Sequence, residues 1–134
     1  MFEQEVVSEA VAARLTELSA EFVKCVSIGD LAGAITQGEL ALEIHPHNKK
    51  VLQDVGDLYT KLPQPLWGKA EELHLRALAI DETSTYSLKS LAAIASNSND
   101  LDGALGYLKR AELTNPEDPT IKGYISVIEQ VMNQ

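Results

Sequence analysis

The chain has 134 residues, 45% of them apolar and 23% charged, which is the size and composition of one folded domain and not of a disordered segment. Its 20 acidic residues outnumber its 11 lysines and arginines, giving a formal net charge of −9. No basic patch could hold a phosphate backbone, which argues against a nucleic-acid-binding protein.

Apolar residues recur at helical spacing through most of the chain, and capping residues and prolines mark where each helix begins and ends. Seven helices are predicted, at residues 3–28, 31–44, 49–62, 67–80, 85–97, 101–114 and 119–132. N-cap candidates precede four of them, namely Asp30, Ser84, Asp100 and Asp118. No run of alternating β-branched residues predicts a strand, so the expected fold class is all-α.

Small and apolar residues return at a spacing close to 34 residues. Three sets show this period: Ala34, Ala70 and Ala104; Ala41, Ala77 and Ala111; and Leu18, Leu52 and Leu88. The separations within each set are 34 and 36 residues, so one unit holds two extra residues, which the segment Pro63-Gln64-Pro65 best explains. A fixed period of this length is typical of helical repeat arrays, and the small residues would lie where two helices cross closely.

The two ends of the predicted array differ from its repeats. The last helix carries Ile121, Ile125, Ile128 and Met132 at helical spacing, which predicts a capping helix over the third hairpin. The first helix is predicted to extend upstream through residues 2–14, where Phe2, Val6 and Val7 lie near one face. This extension is either a flap that packs on the first hairpin or a surface for self-association.

The repeats resemble tetratricopeptide repeats (TPRs), whose units run Trp-x2-Leu-Gly-x2-Tyr and then Ala, Phe, Ala and Pro. The second unit matches at Leu52, Val55-Gly56, Tyr59, Ala70 and Ala77, and the third at Leu88, Leu91-Ala92, Ala95, Ala104, Leu108, Ala111 and Pro116. The first keeps Gly29-Asp30, Ala34, Ala41 and Pro46 but has Glu21-Phe22 in the Leu-Gly position, and Gly38 and His74 replace the usual Phe.

The resemblance implies a right-handed α-solenoid of antiparallel helix pairs, in a single domain over residues 1–134. Its parts would be an N-terminal extension at 1–14, repeats at 15–48, 49–84 and 85–118, and a capping helix at 119–134.

The resemblance also implies a protein-interaction module that binds a peptide or helix of a partner on its concave face, which the first helix of each repeat lines. The residues that it assigns to partner contact are Lys50, Gln53, Asp57, Tyr86, Lys89, Asn97 and Tyr124, and Thr16, Ser19, Val23 and Ala93 also fall on this face. Lys50 and Lys89 are expected to act together on one surface. Ser19 and Val23 replace the Lys and Asn of the subclass that clamps chaperone tails, so such a carboxylate clamp is not expected.

Two other functions stay open: a homo-oligomeric scaffold, for example a homodimer through the N-terminal helix, and a secretion or assembly chaperone for a client protein. No enzyme activity, metal or cofactor is predicted, because the chain offers no nucleophile–base set and no Gly-rich phosphate loop, and a proline separates His45 from His47. His74 and Cys25 are expected to be core residues, and Trp67 is expected to pack at a hairpin turn.

The expected location is the cytoplasm. The single cysteine cannot form an intrachain disulfide, and the acidic start of the chain lacks the positive charge of a secretory signal. No stretch approaches the roughly 18 uncharged apolar residues of a membrane span, so membrane insertion is not expected.

Overall fold

The computed structural model describes residues 8–134, and this part of the chain forms seven α-helices with no strand. The helices are α1 (Glu9–Ser27), α2 (Leu31–Ile44), α3 (Lys49–Thr60), α4 (Trp67–Ile80), α5 (Thr85–Asn97), α6 (Leu101–Thr114) and α7 (Pro119–Met132). Three hairpins, α1–α2, α3–α4 and α5–α6, stack in chain order, and α7 packs on α6. The predicted all-α array of helix pairs is confirmed.

The predicted helix bounds hold except at the two ends of α1, which stops at Ser27 and not at residue 28, and at the end of α3. The helix predicted from residue 3 begins at Glu9, because Ser8 is extended and its side chain accepts a hydrogen bond from the Val11 amide. Residues 1–7, the first half of the predicted N-terminal extension at 1–14, lie outside the described residues. Helix α3 ends at Thr60, two residues early, because residue 62 precedes Pro63 and a residue before proline disfavours the helical conformation.

The turns of the first and third hairpins are built alike. Gly29 and Asn99 occupy equivalent positions and both have a left-handed backbone, with φ of +80° and +61°. The next residue in each turn, Asp30 or Asp100, donates its amide to a carbonyl of the preceding helix at 2.8 Å and caps the following helix with its side chain. These tight turns make the two helices of each hairpin antiparallel neighbours.

The six periodic alanines lie where the helices cross. Ala34, Ala70 and Ala104 are completely buried, and so are Ala77 and Ala111. Ala41, the first member of its set, is only partly buried. Ala41 therefore packs less completely than Ala77 and Ala111, its counterparts in the next two repeats.

In the first two hairpins a glycine on one helix lies against a large side chain on the other. In the first hairpin the large Phe22 stands in the position that usually holds glycine, and Gly38 lies beside it: a Cβ on Gly38 would lie 3.5 Å from the Phe22 ring and would clash with the side chain of Val55 on α3. In the second, Gly56 lies against His74, and a Cβ on Gly56 would come within 2.8 Å of the imidazole. In both hairpins a large side chain on one helix is matched by a glycine on the other. The total side-chain volume at the crossing is therefore similar, although Phe22, Gly38 and His74 depart from the TPR pattern.

Helix α7 covers the third hairpin with three of its four isoleucine and methionine residues, Ile121, Ile125 and Ile128. Ile121 joins the cluster of Leu88 and Ala111, and Ile128 packs against Ala92, Ala104 and Leu108. Ile125 is partly buried, whereas Met132 is 40% exposed, so the sequence prediction that Met132 packs as part of the cap was wrong. Met132 is the last residue of the helix.

Candidate protein-binding surface

The exposed sides of α1, α3, α5 and α7 share one face of the array, which we call the first-helix face. Two grooves open on it. The α5–α7 groove has a volume of about 730 Å³, and the α1–α3 groove has a volume of about 950 Å³. The seven residues assigned to partner contact distribute unequally between these grooves and the protein interior.

The α5–α7 groove brings four of the seven predicted residues together. It is lined by Thr85, Tyr86, Lys89, Ser90, Ala92, Ala93, Ser96, Asn97, Leu108, Tyr124, Val127 and Ile128. The Asn97 amide donates to the Ala93 carbonyl within α5, at 2.9 Å, and Tyr86 and Tyr124 are about half exposed. In a chain of net charge −9, the residues that line this groove include no carboxylate and one lysine, Lys89.

The α1–α3 groove is lined by one positive and one negative side chain, Lys50 and Asp54. Lys50 is 77% exposed and pairs with Asp54 on the next turn of α3, at 2.9 Å. Thr16, Ser19 and Val23 of α1 line the opposite wall. Lys50 and Lys89, which the sequence analysis placed on one surface, line different grooves.

Gln53 is buried and takes part in packing between repeats. Its amide nitrogen donates to the hydroxyls of Ser87, at 2.9 Å, and Ser84, at 3.3 Å, and Ser84 is the N-cap of α5. Lys89, 36 residues later, makes the equivalent bonds: its ammonium lies 3.0 Å from the Thr120 hydroxyl and 3.3 Å from the carboxylate of Asp118, the N-cap of α7. Residues at the same position of α3 and α5 thus form hydrogen bonds to the start of α5 and of α7, respectively.

Asp57 lies behind Tyr86. One carboxylate oxygen accepts a hydrogen bond from the Tyr86 hydroxyl, and the other lies 3.0 Å from Nε2 of the completely buried His74. Burial raises the pKa of Asp57, but the hydrogen bonds from His74 and Tyr86 outweigh it and leave the pKa below its usual value. Burial, and then the bond to Asp57, raises the pKa of Tyr86.

Known proteins resemble this chain in structure and not in sequence. No family model matches the sequence, and no curated protein sequence matches it either. The structure is similar to that of MamA, with a TM-score of 0.81 and 21% identity over 90% of this chain, which spans 65% of the length of the MamA chain. The first TPR domain of Spaghetti (RPAP3), solved with an HSP90 peptide bound, has a TM-score of 0.77 and 17% identity over 91% of this chain and 98% of that one. The Arabidopsis OM64 TPR domain has a TM-score of 0.75 and 12% identity over 87% and 94% of the two chains.

The chain has the tetratricopeptide-repeat fold. Within it, the TPR positions that hold a large apolar residue are filled by Gly38, which packs against Phe22 and Val55, and by His74, which packs against Gly56.

Sequence reasoning missed three contacts of this TPR array: the bonds of Gln53 and Lys89 to the next N-cap, and the pairing of His74 with Asp57. The sequence contains a signal for the first two contacts. Gln53 and Lys89 occupy equivalent repeat positions, and they precede the N-cap residues Ser84 and Asp118 by 31 and 29 residues. His74 was expected to be a core residue, and it is completely buried. Its hydrogen bond had no counterpart in the repeat pattern.

The remaining reactive groups are enclosed or dispersed. Cys25 is buried, and burial, followed by the nearby carboxylates of Asp30 and Glu21, raises the pKa of its thiol, which lowers its reactivity at neutral pH. Among residues 8–134, no three His, Cys, Asp or Glu side chains are grouped so that they could hold a metal ion. Within that same range, none of the helices combines the length and apolar character needed to cross a membrane.

Proposed function

We propose that this chain is a non-enzymatic protein-interaction module that holds a segment of a partner protein in the α5–α7 groove. The observation that carries the proposal is the distribution of polar and apolar residues around α7. This helix is apolar on the side that faces the groove and polar on the side where a further helix would pack in a complete repeat.

The polar side of α7 is defined by comparison with α5. Leu88, Ala92 and Ala95 of α5 are buried against their own hairpin partner, α6. The residues 34 positions later are Lys122, Ser126 and Glu129, and all three are exposed. Polar residues at these positions suit a helix that ends an array, since they leave no apolar surface for a further helix.

The apolar side of α7 is exposed as well, but it faces the groove. Tyr124, Val127 and Val131 are 55%, 56% and 47% exposed and follow one another at helical spacing. The first two line the groove opposite Tyr86 and Ala93. A contiguous exposed apolar surface with aromatic residues and a polar rim is the usual composition of a protein-binding site.

The groove selects for a partner segment with apolar side chains and without clustered positive charge. Tyr86 and Tyr124 offer large rigid contact areas, and beside them the Lys89 ammonium, which bonds Asp118 and Thr120, can donate a further hydrogen bond to a carboxylate or carbonyl. Domains of the same fold from Spaghetti and human RPAP3 were solved with an HSP90 and an HSP70 peptide bound, and one from yeast Sti1 in a complex with pHsp70, which supports peptide binding in general. The departure at Ser19 and Val23 favours a ligand other than those tails.

The test begins with selection of binding peptides from a displayed random library, followed by titration calorimetry on the selected peptide. Tyr124→Ala and Val127→Ala together should weaken binding by about 2 kcal/mol, because central aromatic contacts dominate such interfaces. Leu113→Ala is the matched control, since Leu113 is 84% exposed on α6 outside the groove. Lys50→Ala reports on the α1–α3 groove.

If the Tyr124/Val127 variant binds normally and Lys50→Ala does not, the first groove is the working surface and the proposal is wrong. The homo-oligomeric alternative predicts concentration-dependent light scattering that is lost with Phe2→Ala and Val7→Ala, two positions outside the described residues. The cytoplasmic location remains a prediction, and it is tested by fractionation of the source cells.

A further inference from the structure

Tyr86, Asp57 and His74 form a chain of contacts that crosses three consecutive helices. Tyr86 lies on α5 in the wall of the groove, Asp57 on α3 and His74 on α4. The carboxylate of Asp57 joins the other two, since it accepts the Tyr86 hydroxyl on one oxygen and lies 3.0 Å from His74 Nε2 on the other. The tyrosine ring is thus tied to a residue that no solvent reaches.

The environment of His74 determines which nitrogen of its neutral ring carries the proton. Nδ1 is buried without a hydrogen-bond partner, whereas Nε2 faces a carboxylate. A proton on Nδ1 would be left without an acceptor, and the bare Nε2 would face the negative charge of Asp57. A proton on Nε2 avoids both penalties, so His74 donates to Asp57.

Two further features hold the imidazole in place. Gly56 leaves the space that the ring occupies, because any Cβ there would come within 2.8 Å of it. The Tyr86 ring lies 6.4 Å from the imidazole, centroid to centroid. A phenylalanine at position 74 would supply similar packing volume without a polar atom to satisfy, so packing alone does not account for a histidine.

We propose that Asp57 and His74 are a positioning pair that holds Tyr86 in place as a wall of the α5–α7 groove. Its consequence for partner binding rests on the proposed function. Tyr86 links the positioning pair to the binding surface, because its ring lines the groove and its hydroxyl is bonded to Asp57. Asp57, which the sequence analysis assigned to direct contact with the partner, acts instead through Tyr86.

The first test needs no partner and measures tyrosine ionisation by ultraviolet absorbance as the pH is raised. Asp57→Asn keeps the shape of the side chain, but its amide has a single acceptor oxygen and no charge, so it cannot serve both donors. The number of tyrosine hydroxyls that ionise below about pH 11 should be one higher in Asp57→Asn than in the parent. Tyr86→Phe in the Asp57→Asn background should remove that phenol, and Glu39→Gln, next to Tyr59, should affect a different one.

The second test measures the affinity of the library-selected peptide for His74→Phe. Because phenylalanine preserves the packing, a structural role alone predicts no change. The positioning role predicts a dissociation constant raised roughly tenfold for Asp57→Asn and severalfold for His74→Phe, with the helical circular dichroism of the parent. Leu113→Ala is again the control.

An unchanged phenol titration in Asp57→Asn would overturn the proposal, and so would a normal affinity in both variants. If the parent binds no peptide at all, the proposed function fails. In that case the phenol titration still decides whether the pair holds Tyr86.

Discussion

Ala104 illustrates how strictly single positions are constrained in this array. It is completely buried where α6 crosses α5, and it clusters with Ala92, Ala95 and Leu108. Gly106, two residues later on the same helix, would place a Cβ in open space. One turn of α6 therefore contains one position with no spare volume and another with no packing requirement.

Ala104→Leu should destabilise the fold by about 1–3 kcal/mol, because the added carbons force apart two helices in close contact. Gly106→Ala is the matched control and should stabilise it by roughly 0.5–1 kcal/mol through helix propensity alone. Urea denaturation followed by circular dichroism measures both. Equal midpoints for Ala104→Leu and the parent would show that position 104 does not face α5.

At the scale of whole helices, polar side chains fix α3 to the start of α5 and α5 to the start of α7. Gln53 bonds the N-terminus of α5, Lys89 bonds the N-terminus of α7, and Lys49 pairs with Asp81 in the turn before α5, at 3.1 Å. Ser19, the residue of α1 equivalent to Gln53, makes no such bond to Asn48, the N-cap of α3, among the described residues. The larger groove opens at this first junction.

These contacts predict a loss of stability in acid. The hydroxyl and amide of Thr120, and then Lys89, hold the pKa of Asp118 below its ordinary value. A carboxyl whose pKa is depressed in the folded state stabilises the fold above its unfolded pKa of about 3.9, and this stabilisation is lost as the pH falls through the folded pKa. Asp118→Asn can still cap α7 but does not titrate.

Urea midpoints at pH 7, 5, 4 and 3 should therefore fall more steeply for the parent than for Asp118→Asn. Asp81→Asn should behave in the same way, because hydrogen bonds from Lys49 and Thr83 lower the pKa of Asp81. Parallel curves for parent and variants would contradict the prediction.

At the scale of the whole molecule, each hairpin makes its main contacts with its neighbours along the array. Stability then depends on covering the apolar face that the last hairpin exposes. Helix α7 does this through Ile121 and Ile128, both buried.

Truncation after Pro116 should expose that face and cause aggregation or a marked loss of stability. Static light scattering and thermal unfolding measure the outcome, with deletion of the exposed residues Asn133 and Gln134 as the control. A soluble, monomeric shortened chain as stable as the parent would show that α7 is a binding tail and not a cap.

Local signals in the sequence determined most of the architecture. The cap residues and prolines predicted the bounds of α2, α4, α5, α6 and α7, and the 34-residue period predicted the hairpins and their buried alanines. Both signals act over one helix or one repeat. Hydrogen bonds within the first turn and steric limits before proline operate between residues a few positions apart, so they can be read along the chain.

The tertiary structure alone decided which side chains on the first-helix face are available to a partner. Periodicity assigns a residue to a face of its helix, but the distance to the next helix decides whether that residue reaches a partner within the protein. Gln53 and Asp57 find such partners, on α5 and on α4 and α5, while Lys50 pairs within its own helix and Lys89 faces a different groove. The hydrogen-bond partners of Gln53, Asp57 and Lys89 lie 17 to 34 residues away in the sequence. At such separations, only the packing of the helices determines which polar groups meet.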